Sequence, residues 1–154
     1  MSLRPLPVLL LALSLLGLGI SLYLTYAHYQ NTTLACARTA LIDCQAVTHS
    51  GYSLVPGTQI PITIPGVIWF GLSGLLAALG LRPRDLRWIS PLHLIWTVLG
   101  MVAVIYLVRA ELVVIHRICE WCTAVHLIIF LSFLLALAQL QRIPQRDTSD
   151  AAPA

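Results

Sequence analysis

The sequence predicts an all-α integral membrane protein built as a bundle of four transmembrane helices. Two observations carry this. Of 154 residues, 58% are hydrophobic and only 10% charged, where a soluble domain carries roughly a quarter charged residues. The apolar residues are also gathered into long runs: Leu6 to Ala27, Ile62 to Leu81, Leu92 to Val108 and Cys119 to Leu140. Each approaches or exceeds the roughly 20 residues a helix needs to cross about 30 Å of hydrocarbon. In lipid such segments must be helical, because only a helix satisfies its own backbone groups.

The first run follows Arg4, as in a signal peptide, but it is longer than the usual apolar region and no A-x-A site follows Ala27. It is therefore expected to be a retained span. The spans are placed at about 6–27, 62–81, 92–108 and 119–140, within one membrane domain, 1–140. The outer loop covers 28–61. Residues 141–154, with Pro144, Asp147, Ser149, Asp150 and Pro153, are expected to form a disordered cytoplasmic tail. Gly17, Gly19, Gly71, Gly74 and Gly100 are expected where helices approach closely.

All nine basic residues are Arg. Arg4, Arg82, Arg84, Arg87, Arg142 and Arg146 fall on one side of the predicted membrane; Arg38, Arg109 and Arg117 fall on the other. This bias predicts that both termini face inward, with His28 to Pro61 and the Ala110 to Ile118 connection outside. The net charge of +3 is thus a topology signal, and nothing indicates nucleic-acid binding.

The cysteines lift the chain above a membrane scaffold. There are four, Cys36, Cys44, Cys119 and Cys122, and the topology puts all of them on the outer side, where disulfides persist. A disulfide within Cys119-Glu-Trp-Cys122 closes so short a ring that it adds little stability, so its chemistry points to reactivity. Cys119 opens the last helix, where free N–H groups favour a thiolate; His116 and Arg117 are expected to add positive potential and Glu120 to oppose it. The pattern suggests a relay. The loop pair exchanges with soluble thiols, and the helix pair passes electrons to a lipid-soluble acceptor, provided the loop moves enough to bring Cys44 to Cys119. A four-thiolate zinc site and two structural disulfides stay open as alternatives, although the Cys36–Cys44 offset is loose for a zinc knuckle.

Cys36 and Cys44, Ser50 six residues on in Cys44-Gln-Ala-Val-Thr-His-Ser50, and Cys119-x-x-Cys122 at the head of the last helix together resemble the vitamin K epoxide reductase family. The resemblance spans about Leu6 to Leu140. It implies a four-helix bundle around a quinone, capped by the outer loop and a short half-helix, with no metal. Cys122 then corresponds to the cysteine that reacts with the quinone and Cys119 to its partner. Cys44 carries electrons between them and the loop, and Cys36 receives electrons from a thioredoxin-like, DsbA-like protein. The implied acceptor is a menaquinone, ubiquinone or phylloquinone in an inner (plasma) membrane. The short tail leaves no room for the thioredoxin-like domain fused in some members, so the partner is expected to be a separate polypeptide.

His126 stands where the vertebrate enzymes have a Tyr, and Pro65 to Gly71 holds no counterpart of the animal enzymes' second-helix Asn. Both departures favour quinone reduction over epoxide reduction, the alternative activity. DsbB is similar in chemistry but carries its C-x-x-C in the first outer loop. A non-enzymatic scaffold with structural disulfides is the alternative from outside catalysis. Among supporting residues, Ser50 is either a turn hydroxyl or a group orienting the loop or quinone. His126, one turn beyond Cys122, is either a quinone hydrogen-bond or proton donor or a packed His bonded to nearby backbone. Trp69 is either an interfacial anchor or a wall of the quinone pocket.

Overall fold

The computed structural model describes residues 5–37, 39–82 and 85–142. Its long helices are α1 (Pro5–Gln30), α3 (Thr63–Gly80), α4 (Leu86–Arg109) and α5 (Glu120–Gln141); a short helix, α2 (Cys44–Thr48), lies between the first two. Four helical segments are long and apolar enough to cross a membrane, the third running from Arg87 to Ile115. The tail beyond Arg142 lies outside the described residues.

The helices close into a ring: α1 packs on α3 and α5, and α4 on the same two. Small and polar residues make the seams. The buried face of α1 is Pro7, Leu10, Ser14, Gly17, Ser21, Leu24 and Ala27, three or four residues apart, one stripe of a helix. Leu15, Leu16 and Leu22 point away from it. This arrangement suits lipid, where burying leucine between helices gains little and close backbone approach gains packing. Gly17 lies directly beneath Phe70 of α3, and Gly74 and Gly66 face Ser14 and Ser21 of α1. Gly19 and Gly71 correct the sequence expectation: both face open space, because they fall on the sides of α1 and α3 turned from the neighbouring helices.

The third helix is longer than its apolar run at both ends. It starts at Leu86 rather than Leu92, taking in Pro91. Beyond Arg109 it continues as a π-helical segment, Ala110–Ile115, through residues expected to be connection. His116, with φ 54°, then reverses the chain in the left-handed region.

The loop after α1 folds back over the ends of the bundle. Asp43 caps α2 by accepting a hydrogen bond from Ala46 N at 3.0 Å, which fixes the helix start at Cys44. This five-residue helix is the short half-helix expected over the pocket. A turn of 3-10 helix, Gly51–Ser53, leads on toward α3.

Candidate redox and quinone site

Cys36 and Cys44 are joined by a disulfide, Cα–Cα 6.2 Å, while Cys119 and Cys122 are free thiols. The bonded loop pair therefore does not combine with the helix pair into a tetrathiolate zinc site. Cys44 and Cys119 are both fully buried and pack in one cluster with Val47, which Cys36, Cys122, Ile115 and Trp121 border.

The cysteine loop is strapped to the head of α5. Ile42 and Ile118 form a parallel bridge, with Ile118 N donating to Leu41 O at 2.9 Å and Asp43 N to Ile118 O at 3.1 Å. Trp121 Nε1 donates to Ala35 O at 2.8 Å, and Ala37 N donates to the Glu120 carboxylate at 3.2 Å. Arg117 donates to Ala40 O. These bonds hold the loop against the head of α5, where Cys44 and Cys119 pack in one cluster.

Cys119 is the N-cap of α5, and its sulfur accepts a hydrogen bond from Cys122 N at 3.3 Å. Its thiol is held below the ordinary value, chiefly by a hydrogen bond from the Cys122 side chain; burial opposes this. The backbone N–H groups of Cys122 and Trp121 add to the lowering, and Glu111 works against it. The expected help from His116 and Arg117 is absent. His116 Nδ1 lies 3.1 Å from Leu112 O, and Arg117 is engaged with Ala40.

Cys122, one turn into α5, and His126, a turn further, share the wall between two connected chambers within the bundle. The shallower one, about 50 Å³, lies under α2 and is lined by Ser50, Tyr52, His28 and Glu111 among others. The deeper one, about 250 Å³, is almost wholly apolar and is enclosed by Trp69, Phe70, Trp96, Gly100 and Ile129. Trp69 and Trp96 are stacked, 6.3 Å between ring centroids, and each indole N–H donates to the other's backbone carbonyl, at 3.3 and 3.2 Å. This double bond pattern locks both rings as a rigid wall. It also answers their N–H groups, which apolar surroundings otherwise leave unpaired.

The remaining sequence candidates fall around these chambers. Ser50 Oγ donates to Val47 O at 2.8 Å, the local turn role, while the residue also lines the shallow chamber. His126 is buried, and among the described residues its ring makes no hydrogen bond to nearby backbone. Trp96, Phe70, Tyr52 and Glu111 went unmarked in the sequence as site residues. Aromatic residues inside an apolar run look like ordinary packing. Glu111 sits at the end of such a run, where an acid looks like the beginning of water.

Residues 8–137 match the profile of the Vitamin K epoxide reductase family. The chain belongs to that family. No curated protein matches it. Membership makes the protein an integral membrane oxidoreductase of thiol–disulfide and quinone chemistry, and the four cysteines and paired chambers are the parts such chemistry requires. Within one helix turn, Cys119 packs with the loop disulfide and Cys122 lines both chambers.

Proposed function

We propose that the protein reoxidises a thioredoxin-like, DsbA-like partner and passes the electrons to a membrane quinone. The observation that carries this is the placement of Cys119 and Cys122 on successive sides of one helix turn, one against the Cys36–Cys44 disulfide and the other on the wall of an apolar cavity. A partner thiolate attacks the loop disulfide at Cys36. Cys44, released as a thiolate, attacks Cys119 of the oxidised helix pair and frees Cys122. The partner's second thiol displaces Cys36 and leaves as partner disulfide. Cys36 then attacks Cys44, so the loop disulfide re-forms as Cys119 leaves. The oxidised loop with a reduced helix pair is then the state immediately before electrons go to the quinone.

Reduction of the quinone takes two electrons and two protons, which the Cys119 and Cys122 thiols together supply. The deep chamber is suited to a planar quinone ring, with Trp69 and Trp96 as its flat wall, whether the ring is of menaquinone, ubiquinone or phylloquinone type. Ser50 supports the loop edge of the site, and His126 is placed to hydrogen-bond a quinone oxygen. The arginine bias puts the cysteine end outside a plasma or inner membrane and both termini inside. There the compartment's oxidising poise and the quinone pool favour turnover.

The test is oxidation of a reduced DsbA-like protein by the full-length protein in lipid with a short-chain ubiquinone. The wild type is expected to form partner disulfide and quinol in equal amounts. Cys122→Ser is expected to abolish both and accumulate a Cys44–Cys119 disulfide. Continued partner oxidation by Cys122→Ser overturns the proposal. A preference for vitamin K epoxide over quinone in the same assay moves the activity to epoxide reduction.

A further inference from the structure

Glu111 is the one acid among the described residues that is both buried and inside a membrane-capable helix. It is 6% exposed. An ionisable group at membrane depth is costly and persists where it lines a polar path or does chemistry. Glu111 continues the buried stripe of α4, seven residues beyond Val104 and on the same face of the helix. There the chain turns Ala110 and Glu111 inward, while Leu112, Val113 and Val114 are exposed. Apolar residues outside and an acid inside is what a membrane bundle does around a reactive pocket, and π-turns within helices often mark such places.

The geometry points to Glu111 as the proton carrier between the Cys122 thiol and the quinone. This rests on the quinone-linked reading above and adds a group to its reaction. Glu111 lines the shallow chamber together with Cys122 and His126. The groups facing it from the surrounding elements are His28 of α1, Tyr52 of the loop, and Cys119, Cys122 and His126 at the head of α5. None of these is an arginine, so nothing on the described walls fixes Glu111 as a permanent counter-ion.

The exchange balances within the site. The dithiol and the quinone give a disulfide and a quinol; two S–H bonds break, one S–S bond forms, and two O–H bonds form. As the electron pair leaves sulfur, the Glu111 carboxylate accepts the Cys122 proton and returns it through His126, which lines both chambers, to a quinone oxygen, ending again as carboxylate. The second proton comes from Cys119. A carboxylate does this without a stable charged intermediate crossing the apolar chamber.

Single-turnover reduction of a short-chain ubiquinone by the fully reduced, full-length protein tests it, with quinol followed by absorbance. Glu111→Gln is expected to slow quinol formation about 10²-fold, the usual loss for a positioned acid–base group. Quinone affinity and the rate of electron transfer from Cys44 to Cys119 should stay within about threefold of wild type. Glu111→Asp should retain most of the rate, and formate should partly restore Glu111→Ala. Should Glu111→Gln fail to fold, the Asp and formate arms decide alone. Quinol formation by Glu111→Gln within about threefold of wild type overturns the inference. So does an Asp variant as slow as Ala with no rescue, which marks a structural carboxyl. A wild type that exchanges thiols with its partner but forms no quinol instead overturns the quinone-linked reading beneath it.

Discussion

Trp121 Nε1 donates a hydrogen bond of 2.8 Å to Ala35 O, so the middle of Cys119-Glu-Trp-Cys122 holds down the segment that carries Cys36. Glu120 does the same at Ala37 N. The two residues between the cysteines thus set the distance over which the disulfides exchange. Trp121→Phe keeps the ring that packs against Tyr23, 5.1 Å between centroids, and removes only the donor. One hydrogen bond is worth about 1 kcal/mol net, so transfer from Cys44 to Cys119 should slow about fivefold. In a Cys122→Ser background Cys119 attacks the loop disulfide and releases Cys36, and rapid-quench trapping of the resulting Cys44–Cys119 disulfide measures the same exchange in reverse. An unchanged rate makes the strap irrelevant to exchange.

The lowered Cys119 thiol gives a pH dependence with a definite sign. The folded group keeps its thiolate below the usual thiol pKa of about 8.5, chiefly through the hydrogen bond from the Cys122 side chain. Thiolate absorbance at ultraviolet wavelengths, assigned to Cys119 by difference against Cys119→Ala in the reduced protein, should therefore persist as pH falls below that range and disappear only at a lower midpoint. Cys122→Ala deletes the donor, and its midpoint should move upward. The backbone N–H groups remain, so the return is partial. The same sign applies to stability: the thiolate contribution is present above the unfolded pKa and is lost as pH falls through the lowered one. A midpoint unchanged by Cys122→Ala excludes the side-chain hydrogen bond as the cause.

The four spans were legible because lipid imposes one rule on length and polarity, and Leu6 to Ala27 or Cys119 to Leu140 obeys it visibly. The place of Cys119 at the start of its helix was legible for the same reason. What escaped depends on which side of a helix a residue occupies. Gly71 and Gly100 are equivalent in sequence, yet one faces open space and the other Trp69. Glu111 was hidden because it lies past the apolar run, where the sequence suggests a connection, while the helix continues through Ala110–Ile115 and keeps it on the buried face of Val104. The strap of Trp121 and Glu120 on the loop joins residues more than eighty positions apart, and no local pattern encodes such a pairing.

The Gly71 and Gly100 contrast is itself testable. A Cβ at Gly100 meets Trp69 Cζ2 at 2.6 Å and Ile129 at 3.0 Å, while one at Gly71 meets nothing within 4 Å. Because Trp69 is tied to Trp96 by two hydrogen bonds, it cannot yield cheaply. Overpacking of this kind costs about 1–3 kcal/mol. Gly100→Ala should raise the quinone KM about tenfold with a smaller effect on thiol exchange at the cysteine loop. Gly71→Ala should leave both unchanged and stabilise the helix slightly. Equal effects of the two substitutions remove Trp69 as a wall of the quinone site.

His93 lies in α4 three residues before Trp96, 1% exposed, with neither ring nitrogen hydrogen-bonded among the described residues. Its polar neighbours along α4 are answered elsewhere: Thr97 donates to Leu94 O, and Ser90 accepts from Gln139 Nε2 at 2.8 Å. A buried polar group without a partner costs about 1–3 kcal/mol, and replacing it by an apolar residue of similar size relieves that cost. His93→Leu should therefore raise the thermal midpoint in detergent or nanodiscs and leave quinone reduction within about twofold of wild type. The site lies below the paired tryptophans, away from Cys122, so no redox step should sense it. A His93→Leu protein that is less stable shows instead that the ring binds a polar occupant. The unpaired Ser73 Oγ and Gln139 Oε1 on the adjoining helices are then the next groups to substitute.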